Sequence, residues 1–282
     1  MKHAGVKPAI ASLLLVFGWV VFSRFGAAAE LKIAAKAAVL MNAQTGKTLW
    51  AQNQDLRLPP ASTAKILTAL VVLDHSRTSD VLTIPAEALR VSGATTQLRA
   101  GEKLSVGDLL HAMLLGSGND AAIALALHTG ASIDGFVQRM NNKVHTLGTV
   151  RSHFFNPTGM PHPEQLTTAQ DLALITQAAL ENSEFRNIVA KRTYSWRSRG
   201  WQGTIKNSNK LLSSYDGVIG VKTGNTREAG YCLVAAAQRG GQTFIAVVLK
   251  SQEQAVWRDA RQLLDYGFKH RSSEAGHGSS VR

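Results

Sequence analysis

The sequence predicts an α+β fold whose sheet is assembled from segments far apart in the chain. Three observations carry that expectation. Short apolar runs of strand length lie near the N-terminal end, at 34–41 and 48–52, and return after residue 218. Between them the apolar residues recur at helical spacing, so helices gather in the middle. Strands at both ends with helices between them place the two ends side by side in one sheet. The length of 282 residues is enough to bury a core without metal or disulfide staples.

The elements follow in order. Met1 to Lys7 carries two lysines and no acid, Pro8 to Phe22 is a largely apolar run of fifteen, and Ala27-Ala28-Ala29 supplies small residues for a peptidase. Residues 1–29 therefore read as a secretory signal cleaved after Ala29. The run is shorter than the roughly 20 residues a membrane-spanning helix needs. Ala34–Met41 and Thr48–Gln52 form a hairpin with Gly46 in its turn. Pro59 and Pro60 precede Ser62, which opens a buried helix continuing through Ile66–Leu73. Ser105 caps a helix ending at Leu115, Ser117-Gly118-Asn119-Asp120 interrupts it, and an alanine-rich helix runs on to His128. Amphipathic helices follow at Ile133–Leu147, stopped by Gly148, and at Thr168–Leu180. Val218–Lys222, Tyr231–Ala237 and Thr243–Leu249 read as strands, the last two joined at Gly240-Gly241. A final helix, Gln254–Tyr266, ends at Gly267, so 30–268 is one domain. The polar segment 269–282 is predicted disordered, and it is too polar to be an amphipathic membrane anchor.

Composition narrows the function classes. Apolar residues are 45% and charged residues 18%, the profile of a globular protein and not of a multi-span membrane protein. Lys plus Arg is 31 against 19 acids, a net charge of +12; without Lys2, Lys7 and Arg24 it is 28 against 19, or +9. Such a surplus suits nucleic acid, an anionic wall or a membrane surface. The basic stretch Arg186, Lys191, Arg192, Arg197, Arg199, Lys206 and Lys210 contains no acid and is interleaved with Tyr194, Trp196 and Trp201. It reads as a solvated hairpin, a nucleic-acid platform, or a patch for anionic envelope polymers. The single cysteine, Cys232, excludes an internal disulfide and reads as a core residue. The nine histidines form no H-E-x-x-H and accompany no cysteine cluster, so no metal site is expected.

The chemistry begins at Ser62-Thr63-Ala64-Lys65. Three residues along a helix is a rise of about 4.5 Å and nearly one turn, which puts hydroxyl and amine on one face. A serine becomes a nucleophile when a base takes its proton, and a lysine is that base only if burial or positive charge lowers its pKa. The alternative reading is a helix-capping serine beside a surface lysine. Two further elements weigh against it. Ser117-Gly118-Asn119 falls at a break between helices, where a hydroxyl and an amide project into a cleft, and Lys222-Thr223-Gly224 ends a predicted strand. The order S-x-x-K, S-x-N, K-T-G is that of serine penicillin-binding proteins and β-lactamases.

With these phrases, together with Pro60-Ala61-Ser62, Leu114 to Ala122, Phe155 to Gly159, Gly220 to Gly224 and Ala229 to Ala235, the stretch Ile33–Phe268 resembles one family. It is similar to the D-alanyl-D-alanine carboxypeptidases, the low-molecular-mass penicillin-binding proteins of serine peptidase family S11. The resemblance implies a β-lactamase/DD-peptidase-like fold, an antiparallel sheet packed with helices and an all-helical subdomain. It implies that Ser62 attacks the bond between two terminal D-alanines of a peptidoglycan stem peptide, with Lys65 as base. Backbone N–H groups of Ser62 and Asn225 then hold the oxyanion, Ser117 relays a proton to the leaving amine, and Asn119 holds the peptide amide. Lys222 and Thr223, followed by Gly224, bind the terminal carboxylate. No cofactor or metal enters, β-lactam antibiotics acylate Ser62, and the enzyme works outside the cytoplasm at the cell wall. The chain departs from the family in Ala64, where many relatives have Thr, and in Val256, where an Arg often precedes the aromatic of the last helix. It stops after the catalytic domain, which resembles the shorter branch that includes endopeptidases cutting cross-links. A class A β-lactamase reading rests on Glu164-Gln165-Leu166-Thr167, which lacks the expected asparagine, and the different-class alternative is a basic nucleic-acid or wall-binding module.

Overall fold

The structure, a computed structural model, describes Met1 and residues 31–270; the expected signal segment and all but the first two residues of the expected tail lie outside the described residues. Its centre is a five-stranded antiparallel sheet. In chain order the strands are β1 (Ala37–Asn42), β2 (Thr48–Gln52), β3 (Val81–Thr83), β4 (Lys103–Ser105), β5 (Thr193–Arg197), β6 (Gln202–Lys206), β7 (Val218–Thr226), β8 (Gly230–Arg239) and β9 (Gln242–Ser251). The sheet order is β2-β1-β9-β8-β7, with β3-β4 and β5-β6 as separate two-stranded sheets. The N-terminal strand thus inserts beside the last one, in register Val39 opposite Val247.

The strands read as continuous apolar runs because both faces of the sheet are covered. Val39, Met41, Val234, Ala236, Ile245 and Val247 belong to one core cluster, while Ala38, Leu40, Leu233, Ala235, Phe244 and Val248 belong to another. That is the two-residue alternation of a strand, with an apolar partner on each side. The first cluster is filled by α1 (Lys65–His75), α2 (Val106–Leu115), α3 (Asn119–Gly130), α4 (Ile133–Thr146), α5 (Ala169–Glu181) and α6 (Ser183–Val189); the second by α7 (Ala255–Lys269). α1 is buried from Lys65 to Val72, as a helix apolar around its circumference must be. Ser105 and Asp108 close a capping box on α2, and Ser132 and Thr168 cap α4 and α5 through side-chain oxygens.

Four expectations need correction. β7 does not end at Lys222; it continues to Thr226, paired with β8 through Gly224–Cys232 and Thr226–Gly230. Gly267 does not end the last helix, which runs to Lys269. Glycine stands there because a Cβ would lie 3.0 Å from the Phe244 ring and 3.2 Å from Leu40. Lys269 is accordingly the last helical residue and not the start of the tail. α6 had no counterpart in the sequence reading, since its seven residues are too few for a periodicity to declare itself.

Within 186–210 the segment Thr193–Lys206 is a hairpin, β5-β6, preceded by the end of α6 and followed by a 3-10 turn, and its aromatics do not alternate with the bases on one surface. Trp196 is buried, Trp201 Nε1 donates to Thr96 O at 2.8 Å, and the Tyr194 hydroxyl donates to Asp108. The exposed side chains are the bases, Arg197, Arg199, Lys206 and Lys210 among them. Cys232 is buried, and burial pushes its thiol up to about 11.

Candidate active site

Ser62 lies in a single 3-10 turn, Ala61–Ala64, that feeds directly into α1. Its hydroxyl caps nothing, so the capping-serine reading has no support. Ala61 adopts a left-handed φ of 47°, and the turn is clamped between two glycines. A Cβ on Gly224 of β7 would stand 2.9 Å from Ser62 N, and one on Gly159 would fall 1.8 Å from Ala61 O. The backbone around the hydroxyl is therefore fixed by contacts no other residue type permits.

Lys65, one turn on, is fully buried, and its Nζ donates to Ser62 Oγ at 3.0 Å, to Asn119 Oδ1 at 2.7 Å and to Thr158 O at 2.6 Å. Burial, and after it the neighbouring Lys222 charge, hold its pKa well below the ordinary lysine value, with Asp120 opposing them. This is the environment that turns a lysine into a base at neutral pH.

Each partner of Lys65 is itself held. Asn119 opens α3 and donates through Nδ2 to Ser92 O at 2.6 Å. The Asp120 carboxylate beside it accepts from Thr96 N at 2.9 Å, Thr96 Oγ1 at 3.0 Å and Leu98 N at 3.2 Å, which folds the 92–98 loop over the cleft. Thr158 O is aimed by an Asn-centred turn: Asn156 Oδ1 accepts from Thr158 N, Thr158 Oγ1, Gly159 N and Met160 N. Gln165, buried, ties that turn down through Phe155 N, Asn156 N and Met160 O.

Ser117 sits in a left-handed conformation, φ 64°, between α2 and α3, and its hydroxyl has no hydrogen-bond partner among the described residues. A non-glycine residue held at positive φ is a mark of functional sites. Ser62, Ser117, Asn119, Thr223, Gly224 and Asn225 all line one cleft of about 360 Å³. Lys222 does not line it. Its side chain is buried behind the wall, Nζ donating to Thr223 O at 3.0 Å, and burial pushes its pKa down to about 7. Glu164 is exposed and outside the cleft, so it offers no carboxylate to a water near Ser62.

A model of the D-alanyl-D-alanine carboxypeptidase family, peptidase S11, matches residues 24–253. The chain belongs to this family. Its members are serine peptidases. Among curated relatives, the D-alanyl-D-alanine carboxypeptidase of Streptomyces sp. (strain K15) is 36% identical over 287 residues, covering 95% of this chain and 99% of its own. DacF of Bacillus subtilis (strain 168) is 35% identical over 251 residues, 85% of this chain and 63% of that protein, so the match stops short of about a third of DacF. The crystal structure of the Streptomyces K15 DD-transpeptidase has 37% sequence identity and a TM-score of 0.81, covering 85% of this chain and 99% of that one. The fold is thus the antiparallel β-lactamase and penicillin-binding-protein architecture that the sequence predicts.

Several residues of this S11 site escaped the sequence reading. Thr158 lies in a phrase noted only for resemblance, and its contribution is a backbone carbonyl, which no side-chain pattern announces. Ser208 Oγ pairs with Thr223 Oγ1 at 2.6 Å, and Ser208, Lys210, Glu253 and Trp257 complete the far end of the cleft. They come from two segments about forty residues apart, so only the folded chain unites them.

Proposed function

We propose that the chain is a serine D-alanyl-D-alanine peptidase that works through an acyl-enzyme at Ser62. The observation that carries this is the fully buried Lys65 amine, 3.0 Å from the Ser62 hydroxyl and depressed in pKa by burial and by Lys222. Neutral Lys65 takes the Ser62 proton as Oγ attacks the carbonyl between two terminal D-alanines. The charge that develops on the carbonyl oxygen is met by the backbone N–H groups of Ser62 and Asn225. The position of β7 supports that pairing, since it is an edge strand pressed against the Ser62 turn at Gly224. The proton then passes through Ser117 to the departing D-alanine amine, Asn119 holds the substrate amide, and water releases the trimmed peptide. Thr223 faces the terminal carboxylate with Lys222 behind it, adding positive field from the strand.

By the same chemistry a β-lactam, whose strained amide mimics the substrate bond, acylates Ser62. Residues 1–29 export the enzyme, and peptidoglycan stem peptides at the wall are its substrate. Among the described residues no helix is long and apolar enough to cross a membrane. The exposed bases of the β5-β6 hairpin suit anionic envelope polymers, an interaction read from salt-sensitive binding to isolated sacculi. Digestion of purified muropeptides followed by mass analysis tests the activity. Loss of one terminal alanine from monomeric stems is the expected product; dimer splitting alone points to an endopeptidase, and no cleavage of either overturns the proposal.

A further inference from the structure

A peptide that ends in a free carboxylate brings a negative charge into the cleft, and the cleft needs an accessible cation to receive it. Lys222 is buried behind Thr223 and spends its amine on the Thr223 carbonyl. Two arginines of α7 are engaged elsewhere. Arg261 donates to Ser214 O at 2.8 Å and Ser214 Oγ at 2.6 Å, and Arg258 lies 3.9 Å from Asp259; neither lines the cleft. Position 256, just ahead of Trp257, is a buried valine.

Among the described residues that line the cleft, one is basic: Lys210. Its backbone is set by a short 3-10 turn, Lys210–Ser213, which Asn209 caps through Oδ1 and Leu211 anchors in the core. Its amine is held over the Trp257 ring, 5.7 Å from the centroid, a cation–π placement that restrains the side chain without using its donors. No carboxylate lies within 4.0 Å of it among the described residues, and the one acid that lines the cleft, Glu253, forms no ion pair with it. Two residues earlier, Ser208 is bonded to Thr223, which ties the Lys210 segment to the strand that carries the Lys-Thr-Gly phrase.

We propose that Lys210 is the specificity-determining cation of this cleft, and that it receives the terminal carboxylate of the peptide while Thr223 and Ser208 present their hydroxyls beside it. This rests on the peptidase reading above. Trp257 is the platform that keeps the amine at the cleft and away from solvent-facing rotamers. The Lys210 segment takes over a task that the sequence assigns to Lys222, and Lys222 acts instead through its charge on Lys65.

The test compares an N-acylated stem peptide ending in D-Ala-D-Ala with the same peptide closed as its C-terminal amide. In Lys210→Gln the ratio of kcat/KM for acid over amide falls by about 10- to 100-fold, the range for a hydrogen bond to a charged group. The loss appears mainly in KM, because the contact is equally present in the ground state and the transition state. Lys210→Arg restores most of the ratio. An unchanged ratio in Lys210→Gln, or a Lys210→Arg protein no better than Lys210→Gln, overturns the assignment while the peptidase reading stands. A wild-type protein that neither cleaves nor binds the acid overturns both.

Discussion

Replacing Lys222 by Met tests the electrostatics of the site in a way that does not depend on catalysis. The amine is fully buried, and burial alone pushes its pKa down to about 7. In the unfolded chain a lysine titrates near 10.4. Between those two values the unfolded state carries a proton that the native state has lost, so stability rises with pH across the window from about 7 to about 10. Each pH unit in the window is worth about 1.4 kcal/mol, or about 5 kcal/mol in all. That cost is fully present below pH 7 and vanishes above the unfolded value. Met fills a similar volume without a charge, so the variant lacks this slope. Urea unfolding of both proteins at pH 7 and pH 9 reads the difference, together with the change at Lys65, whose pKa the Lys222 charge lowers; groups away from the site cancel. The expected result is that wild type gains about 2 kcal/mol more than Lys222→Met over those two units, because the slope is only half developed at pH 7. The variant is the more stable protein at pH 7, although its penicillin labelling is impaired. Parallel pH dependences would refute the view that burial holds the Lys222 amine well below its unfolded value, so that its charged form is costly in the fold.

Three further outcomes follow from the same geometry. The second-order rate of acylation by benzylpenicillin rises with pH as Lys65 loses its proton, with its limb below the ordinary lysine range; in Lys222→Met the limb moves to higher pH, because a neighbour that lowers the Lys65 pKa is gone. Asn156→Ala removes the acceptor of four hydrogen bonds that aim Thr158 O at Lys65, costing about 2–4 kcal/mol in urea unfolding and slowing acylation at least about tenfold. Gly267→Ala places a methyl 3.0 Å from the Phe244 ring and costs about 1–3 kcal/mol by overpacking, with the acylation rate unchanged because α7 covers the sheet face away from Ser62.

What the sequence disclosed and what it withheld divide along the range of the interactions. Ser62 and Lys65 are one helical turn apart, so their proximity was legible from spacing. The strands β1, β8 and β9 were legible from continuous apolar runs, and the turn at Gly240-Gly241 from its paired glycines, both at positive φ. The convergence of Ser117, Asn119 and the Lys-Thr-Gly phrase on Ser62 came from resemblance, because no local rule brings residues about 55, 57 and 160 positions away to one cleft. Long-range packing defeated local reading elsewhere. Gly224 and Gly267 looked like the ends of elements, where glycine is common, but each sits inside an element because another segment presses on its missing Cβ. The bases and aromatics of 186–210 looked like one surface; the two-residue alternation of β5 and β6 instead sent Trp196 and Ile205 into the core and left the bases in solvent. Thr158 and Ser208 were silent, and Lys210 was read only as one base of a surface stretch, because their parts at the site are a carbonyl, a hydroxyl pair and a cation that tertiary contacts alone assemble.

The central claim is that Ser62, activated by Lys65, is the nucleophile. It is tested most directly by intact-protein mass measurement after exposure to benzylpenicillin, with peptide mapping of the adduct, on wild type and on Ser62→Ala, a change that removes one oxygen hydrogen-bonded, among the described residues, to Lys65 Nζ alone. The account predicts one penicillin per chain, mapped to the peptide carrying Ser62, and no adduct in Ser62→Ala at unchanged melting temperature. An adduct that persists in Ser62→Ala, or that maps to another residue in wild type, would contradict it.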